Sequence, residues 1–296
     1  VVYFLDELES KNLLKSLRPK ARQVGVTEEL RGWSWDTSPL KPYHDVSLPM
    51  YLICAGYCPT SRDVYLSKVK GIKGEYTHPV TMGVIIHDTV GQAFREAKLK
   101  RFDADYSSWY ASMDYEKRLN GNFEEIRKCG NIVWNFILSA AKARFESGLV
   151  TQPYSSPEEL ILTTIPFLVE HRISGRLLGT SGMLSVDCFD YMRNIIFDLK
   201  VGFKGDRYRC RIYPAGYALV FESIYEVPVD IGCNVFINFK GGRMIMEKDL
   251  FHINDDLRSW WIEERDNKAE IVYEEKDPGI PSSCPDDCIY RSVCGE

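Results

Sequence analysis

NIIFDLKVG, residues 194–202, is a short apolar run that ends in an acid and an amine two positions apart. Its branched residues and its Asn and Gly borders predict a β-strand. Side chains at i and i+2 of a strand point to one face, so Asp198 and Lys200 project side by side. Acid-x-Lys triplets are common, and most are solvated strand ends. Here the triplet follows the apolar run IIF (195–197), which carries the pair out of a buried strand into a cleft. A carboxylate there suits a hard divalent cation, and the ammonium beside it can orient a water or hold charge on a phosphate.

Working outward, GMLSVDCF (182–189) predicts the preceding strand, and residues 191–194 suit a hairpin turn. The hairpin would bring Asp187, eleven residues before Asp198, close enough to share a cation. An unpaired carboxylate in so apolar a strand is costly, and a metal would compensate that cost. FLVEHRIS (167–174) reads as one more strand upstream. Downstream, residues 206–226 carry a helical pattern in which Pro214 marks a kink or the first turn. CNVFINFKGGRMIMEKDL (233–250) predicts a hairpin turning at Lys240-Gly241-Gly242, and residues 252–275 a last helix. The order implies an α/β core with a helical insertion.

Before the strands, residues 80–102 repeat apolar side chains near a 3.6 period through Val84, His87, Val90, Phe94 and Ala97. A lone His on such a helix is more often a hydrogen-bonded core residue than a ligand. Gly83, one turn earlier, predicts a close backbone neighbour, which would leave His87 facing the contact. A longer helical pattern spans about 115–146, with Gly121 and Gly130 as candidate breaks. Residues 1–17 look like a short amphipathic helix, and the stretch to Met50 is irregular. Residues 60–70 read as a helix capped by Ser61 or Thr60.

The net charge of −5 argues against promiscuous nucleic-acid binding but leaves room for a local basic groove. Candidates are Lys98, Lys100 and Arg101, and Arg207, Arg209 and Arg211; each alone is better read as a solvated face. No apolar run reaches the roughly 18 residues of a membrane span, and the first residues lack a signal-peptide pattern. A cytoplasmic location with no membrane partner is expected. Nine cysteines is a high count for such a chain, where disulfides are rare. Cys129, Cys188, Cys210 and Cys233 sit in apolar surroundings and read as buried thiols. Cys284, Cys288 and Cys294 crowd CPDDCIYRSVC, a short polar segment that packing does not explain. Cys54 and Cys58 lie together in ICAGYCPTSRDVYL. Four thiolates suit Zn²⁺ or an iron–sulfur cluster about equally by spacing.

The ordered set GVIIH (83–87), SVD (185–187), DLK (198–200) and YPAGYALVFES (213–223), framed by those cysteines, resembles the RecB-like nucleases of the PD-(D/E)xK superfamily. It is most similar to the CRISPR-associated RecB-like iron–sulfur exonucleases of the archaeal branch, over about residues 54–294. Tyr213 stands where that family has Gln, so Tyr217 alone carries over from its helix motif. The resemblance implies a restriction-endonuclease-type core, a central mixed sheet flanked by helices, over 79–275 with a helical insertion at about 103–160. Residues 1–78 would contribute one cluster cysteine and 276–296 the other three.

The family would have His87, Asp187, Asp198 and the carbonyl of Leu199 hold Mn²⁺ or Mg²⁺, with Lys200 at the phosphate and Tyr217 supporting the site or touching DNA. It favours a 4Fe–4S cluster on Cys58, Cys284, Cys288 and Cys294, with Cys54 the rival to Cys58. Glu222 is an outside candidate for the site. The expected activity is DNA exonuclease cleavage that processes ends during CRISPR spacer acquisition, beside integrase subunits. The competing readings are a non-catalytic iron–sulfur DNA-binding subunit of an integrase complex, and a zinc-stabilised interaction protein.

Overall fold

The computed structural model describes residues 2–284 and 288–294. Among them, five strands form one mixed sheet in the order β1-β2-β3-β4-β5. These are β1 (Phe167–Ile173), β2 (Leu184–Asp190), β3 (Ile195–Val201), β4 (Ile231–Lys240) and β5 (Arg243–His252). Only β3 and β4 run parallel; the other neighbours are antiparallel. The parallel step needs a crossover, and α9 (Ile212–Tyr225) supplies it. Pro214 lies in the first turn of α9, where its missing N–H costs nothing. Gly241 and Gly242 take left-handed φ values of 56° and 71°, as a two-residue hairpin between β4 and β5 requires.

The helices are α1 (Glu7–Asn12), α2 (Arg18–Val24), α3 (Met50–Cys54), α4 (Arg62–Lys68), α5 (His78–Lys98), α6 (Tyr106–Ser112), α7 (Phe123–Thr151), α8 (Pro157–Thr164), α9, α10 (Asp255–Tyr273) and α11 (Arg291–Cys294). They cover both faces of the sheet. On one face, α5, α7 and the first residues bury Phe94, Trp134, Phe167 and Phe197 in a common core. On the other, α3, α9 and α10 bury Leu52, Ile196, Leu219 and Trp261. Asn254 caps α10 by accepting from the Leu257 N–H.

Several local expectations change. Residues 1–17 are not one helix. Val2–Leu5 enter the core as irregular chain, and the helix begins after Asp6, whose capping box with Glu9 fixes its start. Gly130 does not break α7; it makes room for Tyr106, whose hydroxyl would lie 2.1 Å from a Cβ there. Neither Ser61 nor Thr60 caps α4 through its side chain: Thr60 Oγ1 donates to the Gly279 carbonyl instead. No helix among the described residues is long and apolar enough to cross a membrane.

Candidate active site

The antiparallel ladder between β2 and β3 ends at the Cys188–Phe197 pair, and the next pair in register would be Asp187–Asp198. The strands part there, and the freed Leu199 N–H donates to Asp187 Oδ2 at 2.6 Å. One side-chain oxygen thus replaces a backbone acceptor where the strands part. Across β1, Glu170 lies opposite Asp187, between the pairs Val169–Cys188 and His171–Val186. At this level both strands change sides. Phe167 and Cys188 pack toward α5, whereas Ile173, Leu184 and Val186 pack toward α9. The switch leaves Glu170 at φ 49°, a left-handed conformation rare within a strand.

His87 on α5 reaches the same point. Its Nδ1 lies 3.4 Å from Asp187 Oδ1 and 4.0 Å from Glu170 Oε1. Its Nε2 lies 3.1 Å from the Leu199 carbonyl oxygen. One ligand atom from each of His87, Glu170 and Asp187 falls within 4.8 Å of the other two. His87 and Glu170 are half-buried, so the cluster opens to solvent. Gly83, expected to admit a close neighbour, faces open space. Gly91, one turn beyond His87, is the glycine that matters: a Cβ there would lie 3.0 Å from Glu170 Cγ. Val84 is likewise exposed rather than part of the buried stripe.

Asp198 and Lys200 share one face of β3, as strand geometry demands. Lys200 Nζ lies 3.1 Å from Asp198 Oδ1 in a hydrogen bond and 2.8 Å from Oδ2. The Oδ2 contact lacks hydrogen-bond geometry, so this buried oxygen takes none. The ammonium also sits 3.5 Å from the centre of the Tyr213 ring, a cation–π contact. Tyr217 is buried, and its hydroxyl is pushed well up by burial and then by Asp187 and Asp198. It therefore lies behind the carboxylates rather than on an accessible surface.

The electrostatics follow from this packing. Burial raises Asp198 to about 6, Lys200 opposing and Asp187 adding to the rise. Burial and then Asp187 push Glu170 up to about 7. Burial pulls His87 down, but Asp187 and Glu170 outweigh it and lift the imidazole to about 9. Burial likewise pushes Asp187 up, yet His87 and the Leu199 N–H hold it below the usual carboxylate range. Three acids facing one imidazole and one ammonium leave an excess of negative charge. The carboxylate and imidazole donors of His87, Glu170 and Asp187 fit a hard divalent cation.

A family model described as CRISPR-associated exonuclease Csa1 matches residues 2–296. The chain belongs to that family. Two Csa1 relatives, each named CRISPR-associated exonuclease Csa1, are similar along nearly their whole length. One from Saccharolobus solfataricus is 32% identical over 292 residues, covering 96% of this chain and 98% of the relative. One from Thermoproteus tenax is 26% identical over 288 residues, covering 97% and 98%.

Other candidates fall elsewhere. Glu222 is fully buried away from solvent and paired with Arg31 and Arg258, so it is structural. The two basic patches are largely neutralised: Lys100 pairs with Glu158, Arg101 with Glu96, Arg207 with Glu247, Arg209 with Glu264 and Arg211 with Asp249. Lys98 donates to the Phe167 carbonyl. Cys129, Cys188, Cys210 and Cys233 are buried, as their surroundings implied.

At the far side of α4, Cys58, Cys284, Cys288 and Cys294 are half-buried. The Cys288 thiol is raised by burial, with the sulfurs of Cys284, Cys294 and Cys58 adding to the effect, so all four share one neighbourhood. The tail is tied there by Glu75 N–H to the Ile289 carbonyl at 3.0 Å and by Arg62 to Asp277 at 2.9 Å. Cys54 is buried in the α9-side core, where Lys268, Lys200 and Asp198 are its charged neighbours. It belongs to that core, whereas Cys58 is the one beside the tail cysteines.

Proposed function

We propose that this chain is a divalent-metal-dependent DNA exonuclease, hydrolysing phosphodiester bonds at DNA ends during CRISPR spacer acquisition. The observation that carries the reading is the contact of His87 with Asp187 where β2 and β3 part, with the Asp198–Lys200 pair on the neighbouring strand. Membership of a family described as CRISPR-associated exonucleases supports it. On this reading residues 79–275 are a RecB-like core with an insertion at about 103–160. Residues 1–78 and 276–296 then form an iron–sulfur module. The protein works in the cytoplasm on DNA, beside integrase subunits.

His87, Asp187, Asp198 and the Leu199 carbonyl would hold Mn²⁺ or Mg²⁺. Such an ion lowers the pKa of a bound water and neutralises phosphate charge. The residues supply the rest. The Leu199 N–H fixes the Asp187 carboxylate, leaving its Oδ1 directed at the cluster. Lys200 offers a fixed ammonium, held between Asp198 and the Tyr213 ring, where negative charge develops on the phosphate. Tyr217 backs the acids and keeps water from their rear. His87 must shed its proton before it can act as a ligand, so ion binding strengthens as pH rises toward about 9.

End-labelled single-stranded DNA with Mn²⁺ tests this. Asp198→Ala should lower the cleavage rate by about 100-fold or more, since even outer partners of metal ligands are worth 10–100-fold. Cleavage by Asp198→Ala at the rate of the unmodified chain would leave the non-catalytic DNA-binding reading in its place.

Cys58, Cys284, Cys288 and Cys294 would bind a 4Fe–4S cluster, their all-thiol donor set fitting a soft metal centre. Closing that long loop costs on the order of 5 kcal/mol in chain entropy, less than the roughly 10–16 kcal/mol of structural thiolate sites. The cluster would therefore clasp the tail to α4. Protein purified without oxygen should be brown, and Cys288→Ala should lose the visible absorbance and melt at lower temperature. A colourless protein that contains zinc would overturn the cluster, and full thermal stability of Cys288→Ala would overturn the clasp.

A further inference from the structure

We infer that Glu170 is a protein ligand of the divalent cation, a carboxylate outside the family's metal-binding set as given above. The inference rests on the cation-site reading and adds a residue to it. Its Oε1 lies 4.0 Å from His87 Nδ1, and one carboxylate oxygen falls within 4.8 Å of ligand atoms of both His87 and Asp187. Each of the three comes from a different element, α5, β1 and β2, so no local turn accounts for the convergence.

Three independent features make a purely structural role a poor account. Glu170 holds φ 49° inside a strand, a conformation that a non-glycine residue adopts at an energetic cost and that concentrates at functional sites. Gly91 leaves the space that Glu170 Cγ occupies, so two elements are shaped around this side chain. Around the same point the buried Tyr3 hydroxyl takes no hydrogen bond, and Asp198 Oδ2 meets only the Lys200 ammonium, at 2.8 Å. The Tyr3 side chain is 1% exposed, and after burial its hydroxyl is raised by Asp187, Cys188, Glu170 and Asp198. Buried polar atoms of a folded protein nearly always have partners, so an exception beside this cluster calls for an explanation, and a bound ion supplies one. Glu170 already accepts the Ser185 hydroxyl through Oε2 at 2.7 Å, which orients the carboxylate and leaves Oε1 for the cluster.

Mn²⁺ binding to the full chain, measured by calorimetry, separates the possibilities. Glu170→Gln keeps the size of the side chain and an acceptor for Ser185 but removes the charge. It should weaken Mn²⁺ binding by about 10-fold or more and raise the Mn²⁺ concentration needed for half-maximal cleavage. Glu170→Gly should weaken binding similarly, while the metal-free protein melts no lower, because glycine accepts the left-handed backbone. A residue kept only for structure would give the reverse, a lower melting temperature with Mn²⁺ affinity unchanged, and that would overturn the inference. If Asp198→Ala loses Mn²⁺ and Glu170→Gln binds it like the unmodified chain, Glu170 is not a ligand and the cation site stands. If the unmodified chain binds no Mn²⁺, both readings fall.

Discussion

Lys200→Ala should cut cleavage of single-stranded DNA by about 10²–10³-fold at saturating Mn²⁺, the range seen when one preorganised charge-stabilising group is removed. The ammonium is largely buried, 2.8 Å from Asp198 Oδ2 and 3.5 Å from the Tyr213 ring centre. Those contacts hold it in place before any phosphate arrives, so no reorganisation is needed during reaction. Its loss acts a second way. Burial already raises Asp198 to about 6, and Lys200 is the leading influence that opposes the rise. Without the ammonium the Asp198 pKa moves further up, so the carboxylate is protonated at higher pH than before. The acid side of the activity profile should therefore shift toward alkaline pH in Lys200→Ala. Lys200→Arg should rescue little, because a planar fork cannot replace a compact point charge packed against an aromatic ring. Cleavage rates across pH for the three proteins decide it. An unchanged rate together with an unchanged acid limb in Lys200→Ala would remove Lys200 from the mechanism.

What the sequence reveals here is what local rules encode. The period-2 pattern around Asp198 and Lys200, the turn at 191–194, Pro214 at a helix start and the Gly pair at 241–242 each fix backbone within a few residues. Those features sufficed to put Asp187 beside Asp198. Glu170 escaped because its relevance depends on both strands changing sides of the sheet at one level, which no pattern within FLVEHRIS expresses. Gly91 is the nearest signal, a second glycine spaced one turn after His87, but its neighbour lies on another element. The short run Val2–Leu5 carries no strand or helix period strong enough to reveal that it would lie under the site. Arg207 and Arg211 look like a basic patch in sequence, yet Glu247 and Asp249 on β5 meet them in space.

Glu222→Ala should destabilise the fold by about 3–5 kcal/mol, the cost of breaking a buried ion pair and stranding its partner charge. Glu222 is fully buried on α9, and its two oxygens meet Arg258 at 2.7 and 2.9 Å, Arg31 at 2.9 Å, and the N–H groups of Gly32 and Val229 at 2.8 and 2.9 Å. Through these contacts one carboxylate joins α9, α10, the segment around Gly32 and the entry to β4. Gly32 has to be glycine for this to close, since a Cβ would lie 2.0 Å from the Leu219 carbonyl oxygen. With the acid gone, two guanidiniums remain in low dielectric, Arg258 wholly buried and Arg31 nearly so, with only half-exposed Asp230 left to meet them. That imbalance, more than the lost hydrogen bonds, sets the size of the effect. Glu222→Gln keeps the shape and some of the bonds but not the charge, so it should fall between. Denaturant unfolding measures the loss of stability. The cleavage rate per folded molecule should stay near that of the unmodified chain, because Glu222 belongs to the frame and not to the cleft. A Glu222→Ala protein that unfolds like the unmodified chain but no longer cleaves would put this acid back in the active site.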